Sequence, residues 1–112
     1  MINQKGVIKV DFYNNELNRY SKSEYVIISR KEYNSVTKQS LACEIVYSTN
    51  VKPYLVPIKV SGLRRNSKVN TLNIHTLQSG DSNSTHEFIG EITNKEFLMI
   101  AQAVSLNFNF PL

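Results

Sequence analysis

The chain has no tryptophan, one cysteine, two histidines, four glycines and three prolines among 112 residues. Each scarcity removes a class of protein. Cys43 alone cannot build an intramolecular disulfide framework, and it fits a reducing compartment. Cys43 with His75 and His86 is too small a set of soft ligands for a structural zinc site, so no metal or other cofactor is expected. There is no internal repeat, no low-complexity segment and no linker. No apolar stretch approaches the roughly 20 residues of a membrane span. The opening, MINQKGVIKV, lacks the charged start, long apolar run and small-residue cleavage site of a secretory signal. The expectation is a single domain over 1–112, soluble and cytoplasmic.

What is present agrees with one compact core. Hydrophobic residues make up 41% of the chain and fall in short dense runs, which argues against disorder. Two cores in this length would each be marginal. Thirteen Lys and Arg against nine Asp and Glu leave a net charge of +4. Such an excess attracts phosphate-rich partners through counterion release, and it serves equally as a solubilising surface.

The hydrophobic pattern reads as strands first and a helix last. From Gly6 to Tyr13, Ile8, Val10 and Phe12 alternate with Lys9 and Asp11, as in a half-buried strand. Asn14 to Glu24 is polar without apolar periodicity and reads as a loop of about eleven residues. Tyr25-Val26-Ile27-Ile28 suits a strand buried on both faces. Asn34 to Gln39 reads as a turn and Leu41 to Tyr47 as a strand. Tyr54 to Val60 is strand-like, with Pro57 placing it at an edge or bulge. Ser61 to Ser67 is a basic turn, Lys68 to Leu77 an alternating strand, Gln78 to Thr85 a polar loop and His86 to Ile92 a short strand. Thr93 with Glu96 fits a capping box, and Phe97, Ile100, Ala101 and Val104 recur at helical spacing. That predicts a helix over about 94–106 whose stripe is buried on the sheet. The tail, 107–112, carries Phe108 and Phe110. The summed pattern is mainly β: a small, strongly bent antiparallel sheet with a C-terminal helix.

Five segments, in this order, resemble the MazF/PemK toxin family. GVIKVDF resembles its opening strand, and YVIISRKEYN its second strand and following turn. ACEIVYSTNVKPYLVPIKV resembles the third strand with its Ser/Thr switch. GLRRNSKVNTLNIHTL resembles the Gly-Leu, charged turn and later strand, and FIGEITNKEFLMIAQAV the closing strand and helix. The likeness spans roughly 6–104. It implies a small SH3-like barrel, a homodimer, and metal-independent cleavage of single-stranded RNA by the toxin half of a toxin–antitoxin pair. The chain departs from the family at its Arg-Pro, which stabilises the scissile phosphate; here the stretch is Lys22-Ser23-Glu24-Tyr25. The family's Asp-Gln is Leu72-Asn73, and the basic residue two further on is His75, with Thr76 retained.

Metal-free RNA cleavage with the 2′-hydroxyl as nucleophile needs a base, an acid and positive charge beside the phosphorane. Histidine exchanges protons near neutrality, which makes His75 the candidate proton carrier; His86, after a polar loop, reads as an exposed strand start. Arg19 and Lys22 are candidates for the missing family arginine, and Ser48 and Thr49 for holding the phosphate or orienting the 2′-hydroxyl. For binding, Tyr13 and Tyr20 are candidates to stack unpaired bases, Arg64 and Arg65 to meet phosphates, and Asn73 and Thr76 to face the ligand. Tyr47 reads as barrel packing and Cys43 as a buried inert thiol. Two other readings stand beside the nuclease: a catalytically silent relative that binds RNA or an antitoxin, and a gyrase-poisoning CcdB-like toxin. The latter group ends its helix in Trp-Gly-Ile, whereas this chain has no Trp and ends Phe-Pro-Leu.

Overall fold

The computed structural model describes residues 3–14, 16–78 and 84–107. Seven strands and two helices follow in the order β1 (Gly6–Asn14), β2 (Arg19–Ile27), α1 (Lys31–Thr37), β3 (Gln39–Tyr47), β4 (Leu55–Pro57), β5 (Ser67–Asn70), β6 (His75–Gln78), β7 (Ser84–Glu91) and α2 (Asn94–Leu106). The strands form one antiparallel sheet ordered β4-β5-β3-β2-β1-β7, with β6 also on β3. It has the mainly-β, small-barrel architecture that the pattern and the resemblance imply.

The sheet is apolar on both faces, which follows from alternation. Val7, Val26, Cys43, Ile45 and Val69 face one way and meet Ile92 and Ile100, the latter from α2. Ile8, Val10, Tyr25, Ile27, Ala42 and Leu77 face the other way, with Phe12 packed against them. The run Tyr25-Val26-Ile27 therefore feeds both cores and is buried throughout. Burial without a polarising neighbour pushes the Cys43 thiol up to about 11.

Five expectations are corrected. The loop expected over 14–24 is largely strand, because Tyr13 pairs with Tyr20 and Asn14 with Arg19. Its alternation is between polar and charged side chains, so no apolar period marks it. The turn expected over 34–39 is mostly α1, closed by Lys38 in the left-handed region (φ 59°). Fully buried Asn34, not an apolar stripe, ties α1 down. With its NH2 turned toward the carbonyls of Arg30 and Gln39, the Asn34 amide reaches each at 3.2 Å. The strand over 54–60 shortens to β4 at the sheet edge, with Pro57 exposed there. The strand over 68–77 breaks into β5 and β6, because Thr71 turns aside: its N–H and Oγ1 both donate to the Tyr54 carbonyl, at 3.0 and 2.8 Å. The helical stripe is covered only in part. Ile100 is buried, Phe97 and Val104 are half-buried and Ala101 is exposed. With Ile28 and Ser105 these line an open groove of about 300 Å³.

The capping box of α2 is formed, Thr93 Oγ1 accepting from the Glu96 N–H at 3.1 Å and Glu96 Oε1 from the Thr93 N–H at 2.8 Å. Phe108 and Phe110 of the tail lie outside the described residues.

Candidate active site

The β1–β2 register sets Lys9 opposite Glu24, Asp11 opposite Lys22 and Tyr13 opposite Tyr20. All six lie on the face of β2 that carries Val26, beyond the point where the apolar residues end. Tyr47, the last residue of β3, reaches this face. Its hydroxyl donates to Glu24 Oε1, and the Arg64 guanidinium carbon lies 4.0 Å above its ring centroid. A carboxylate thus meets the tip of the phenol while a cation covers its face. Burial raises the Tyr47 pKa, and the Glu24 hydrogen bond and charge add to it. Arg64 opposes both and does not reverse the shift, so the phenol keeps its proton as a donor to Glu24.

Arg64 arrives on the 58–67 loop, which is pinned from several sides. Ile58 N–H donates to the Ser67 carbonyl at 3.2 Å, and Ser67 Oγ donates to the Ile58 carbonyl at 3.0 Å. The Gly62 and Leu63 N–H groups both donate to Val60 O, closing a tight turn. Between Val7 and Ile8 the β1–β7 register shifts, leaving Ile89 as the extra residue of a bulge. A Cβ on Gly62 would sit 2.8 Å from Ile89 Cγ2, and one on Gly90 2.9 Å from Val60 Cγ1, so both contacts need glycine. The loop encloses a cleft of about 540 Å³ whose lining includes Lys59, Arg64 and Arg65. Ser48 joins it, its N–H donating to the Asn66 carbonyl at 3.1 Å, while Ser48 Oγ accepts from the Asn50 N–H. Thr49 follows, exposed.

The sequence candidates therefore fall into two groups. Lys22, Ser48, Thr49, Arg64 and Arg65 lie on the Tyr47 side, with Tyr13 and Tyr20 on the same hairpin face. The two hairpin rings meet edge to face at 5.1 Å, and the Tyr13 hydroxyl donates to Asn18 Oδ1. His75 is elsewhere. It pairs with Ala42, a residue of the second core, and its ring meets that of Tyr25 at 5.4 Å. Alternation along β2 puts Arg19 on this Tyr25 face, opposite to Lys22. Asn73 and Thr76 are exposed on either side of His75. From Ala42 to Tyr47 is five steps of β3, or ~17 Å of strand, with Ser48 just beyond it. The expected convergence of 14–24, 48–49 and 73–76 on one phosphate is thus corrected: the sheet runs between His75 and Lys22. Glu24 was missed, and Tyr47 was read only as packing. The signal was available, since continuing the strand alternation back from Val26 puts Glu24, Lys22 and Tyr20 on one face. Among the described residues no three of His, Cys, Asp and Glu gather as a metal-holding group, and no helix is long and apolar enough to cross a membrane.

Seven antiparallel strands curled under one C-terminal helix, with a charged face at the end of the central strand, define the fold as that of the MazF toxins. No family model and no curated protein matches the chain, but solved structures do. The chain is similar to the MazE–MazF complex of Deinococcus radiodurans, at 14% identity over 97% of each chain with a TM-score of 0.77. It is similar to an endoribonuclease in complex with its cognate antitoxin from a mycobacterial species, at 21% identity over 100% of this chain and 99% of that one, TM-score 0.77. The Mycobacterium tuberculosis toxin MazF-mt6 aligns at 16% identity over 92% and 98%, TM-score 0.67. At these identities the likeness is one of fold.

Proposed function

We propose that this protein is a MazF-like toxin of a toxin–antitoxin pair that cleaves single-stranded RNA in the cytoplasm, without a metal, through the substrate's own 2′-hydroxyl. The observation that carries the reading is the Glu24–Tyr47–Arg64 cluster beside Lys22, in a fold shared with endoribonuclease toxins. Glu24 serves as the base for the 2′-hydroxyl proton, and the Tyr47 phenol, already aimed at Glu24, returns a proton to the leaving 5′-oxygen. Arg64 and Lys22 stabilise charge on the phosphorane, taking the place of the family's Arg-Pro arginine. Ser48 and Thr49 hold phosphate oxygens, Arg65 binds a flanking phosphate, and Tyr13 and Tyr20 stack a base. Arg19, Asn73 and His75 contact RNA that wraps the sheet edge onto the second face, and Thr76, the strand neighbour of His75 and so turned to the other side of β6, meets it at that edge.

The partners are an antitoxin, by analogy with the complexes above, and a second copy of the chain on the open groove of α2. The test is incubation of the purified protein with mixed single-stranded RNA in EDTA. Cleavage leaving 2′,3′-cyclic phosphate and 5′-hydroxyl ends supports the reading; DNA and 2′-O-methyl RNA stay intact. The absent Arg-Pro favours a second reading, a silent relative, for which wild-type protein binds RNA or an acidic peptide and cuts nothing.

A further inference from the structure

We propose that Glu96, at the start of α2, is a positioning residue for Arg64; the functional part of this inference rests on the reading that Arg64 meets an RNA phosphate. The two oxygens of the Glu96 carboxylate are divided between tasks. Oε1 accepts from the Thr93 N–H at 2.8 Å and the Thr93 hydroxyl at 3.0 Å, which completes the helix cap. Oε2 accepts from the Lys59 N–H at 2.6 Å, across 37 residues of chain. A capping box needs only the first of these. The second fixes the point where the arginine loop leaves the core, one residue after Ile58.

From there the chain has a single course. Val60 packs onto Gly90 and Gly62 onto Ile89, both closer than any Cβ would permit. The turn at Val60–Leu63 then delivers Arg64 over the Tyr47 ring. Arg64 has its ring contact with Tyr47 and no ion pair within 4 Å among the described residues. Its position is therefore inherited from the loop, and the loop is held at one end by Glu96 and along its length by the two glycine contacts. The guanidinium stays free to take an anion, which a carboxylate partner would have prevented.

The test uses the whole chain and two readouts. NMR follows the side-chain protons of Arg64, which the Tyr47 ring current shifts upfield. Glu96→Ala should abolish that upfield shift, whereas Thr93→Ala, which weakens the same cap without touching Lys59, should retain it. Single-stranded RNA binding should follow: the log–log salt slope becomes shallower by about 0.7 in Glu96→Ala, with no further loss when Arg64→Ala is added. Gly90→Ala pushes Val60 from the β7 side with the cap intact and should also release Arg64. A folded Glu96→Ala with Arg64 still stacked overturns the proposal, as does an equal effect of Thr93→Ala. Should Glu96→Ala not fold, an unmoved Arg64 in Gly90→Ala overturns it. Wild-type protein without RNA affinity sinks the functional reading, while the NMR comparison, made without RNA, still decides the positioning.

Discussion

Glu24→Gln and His75→Ala separate the two faces of the sheet. In Glu24→Gln the Tyr47 hydroxyl keeps an acceptor of the same shape, but the charge is gone. A hydrogen bond to a charged group stabilises by about 1.5–3 kcal/mol and a neutral one by about 1. With both partners half-buried, the loss is ~1 kcal/mol, or about 4 °C in Tm for a domain of this size. The rate loss is of another order, because removal of a general base costs roughly 10²–10⁴. His75→Ala removes an edge-to-face ring contact with Tyr25 worth about 0.5–1.5 kcal/mol, together with part of its half-buried side chain. That lowers Tm by about 4–8 °C and leaves the rate per folded molecule within a few-fold. The assay is single-turnover cleavage of single-stranded RNA in EDTA, with the folded fraction of each variant measured by circular dichroism. A His75→Ala protein that folds and has lost 10²-fold or more, beside a Glu24→Gln protein that cuts normally, refutes the assignment and returns proton transfer to His75.

Ile100, fully buried between α2 and the sheet, should cost about 2–5 kcal/mol as Ile100→Ala, read by urea unfolding; Phe97→Ala, from a half-buried site, should cost less than the ~3–5 kcal/mol of a fully buried Phe. Cys43 sets an alkaline limit. The folded thiol ionises at about 11 against 9.0 in the unfolded chain, so its contribution is complete below pH 9 and is lost as pH rises toward 11, by about 3 kcal/mol. Cys43→Ala should flatten that decline between pH 8 and 11, and the native thiol should resist alkylation at pH 8 until urea is added. Light scattering at tens of micromolar should give a dimer, and Ala101→Arg in the α2 groove should give monomers; a wild-type monomer would remove the second copy from the groove.

The parts of the fold that bury apolar side chains were legible in the sequence. The alternation of β1, the doubly buried run of β2 and the Thr93–Glu96 cap each leave a local signature that tertiary packing then uses. The outer half of β2 and α1 leave none, because their ordering comes from main-chain pairing and polar contacts that no apolar period records: the β1 backbone for Arg19 to Ser23, and the Ser29, Arg30 and Gln39 groups around Asn34. The candidate site suffered for the same reason. Residue types suited to RNA chemistry were visible, but the side of the sheet each occupies depends on strand parity through 19–25, and a loop has no parity. Reading that stretch as irregular left His75 and Lys22 free to be imagined together, and left Glu24 without a role.

The outer β1–β2 ribbon separates what holds the sheet together from what the sheet presents to solvent. Along β2, Arg19 to Lys22 are exposed, whereas the cores draw on the strand from Tyr25 onward. Exchanging an exposed side chain usually changes stability by less than about 0.5 kcal/mol, so this end of the hairpin can be rewritten at nearly constant stability. The ribbon keeps its backbone pairing while the groups it presents change. A lineage carrying this fold can therefore vary the rings and charges that the ribbon presents by single substitutions, without passing through sequences that fail to fold.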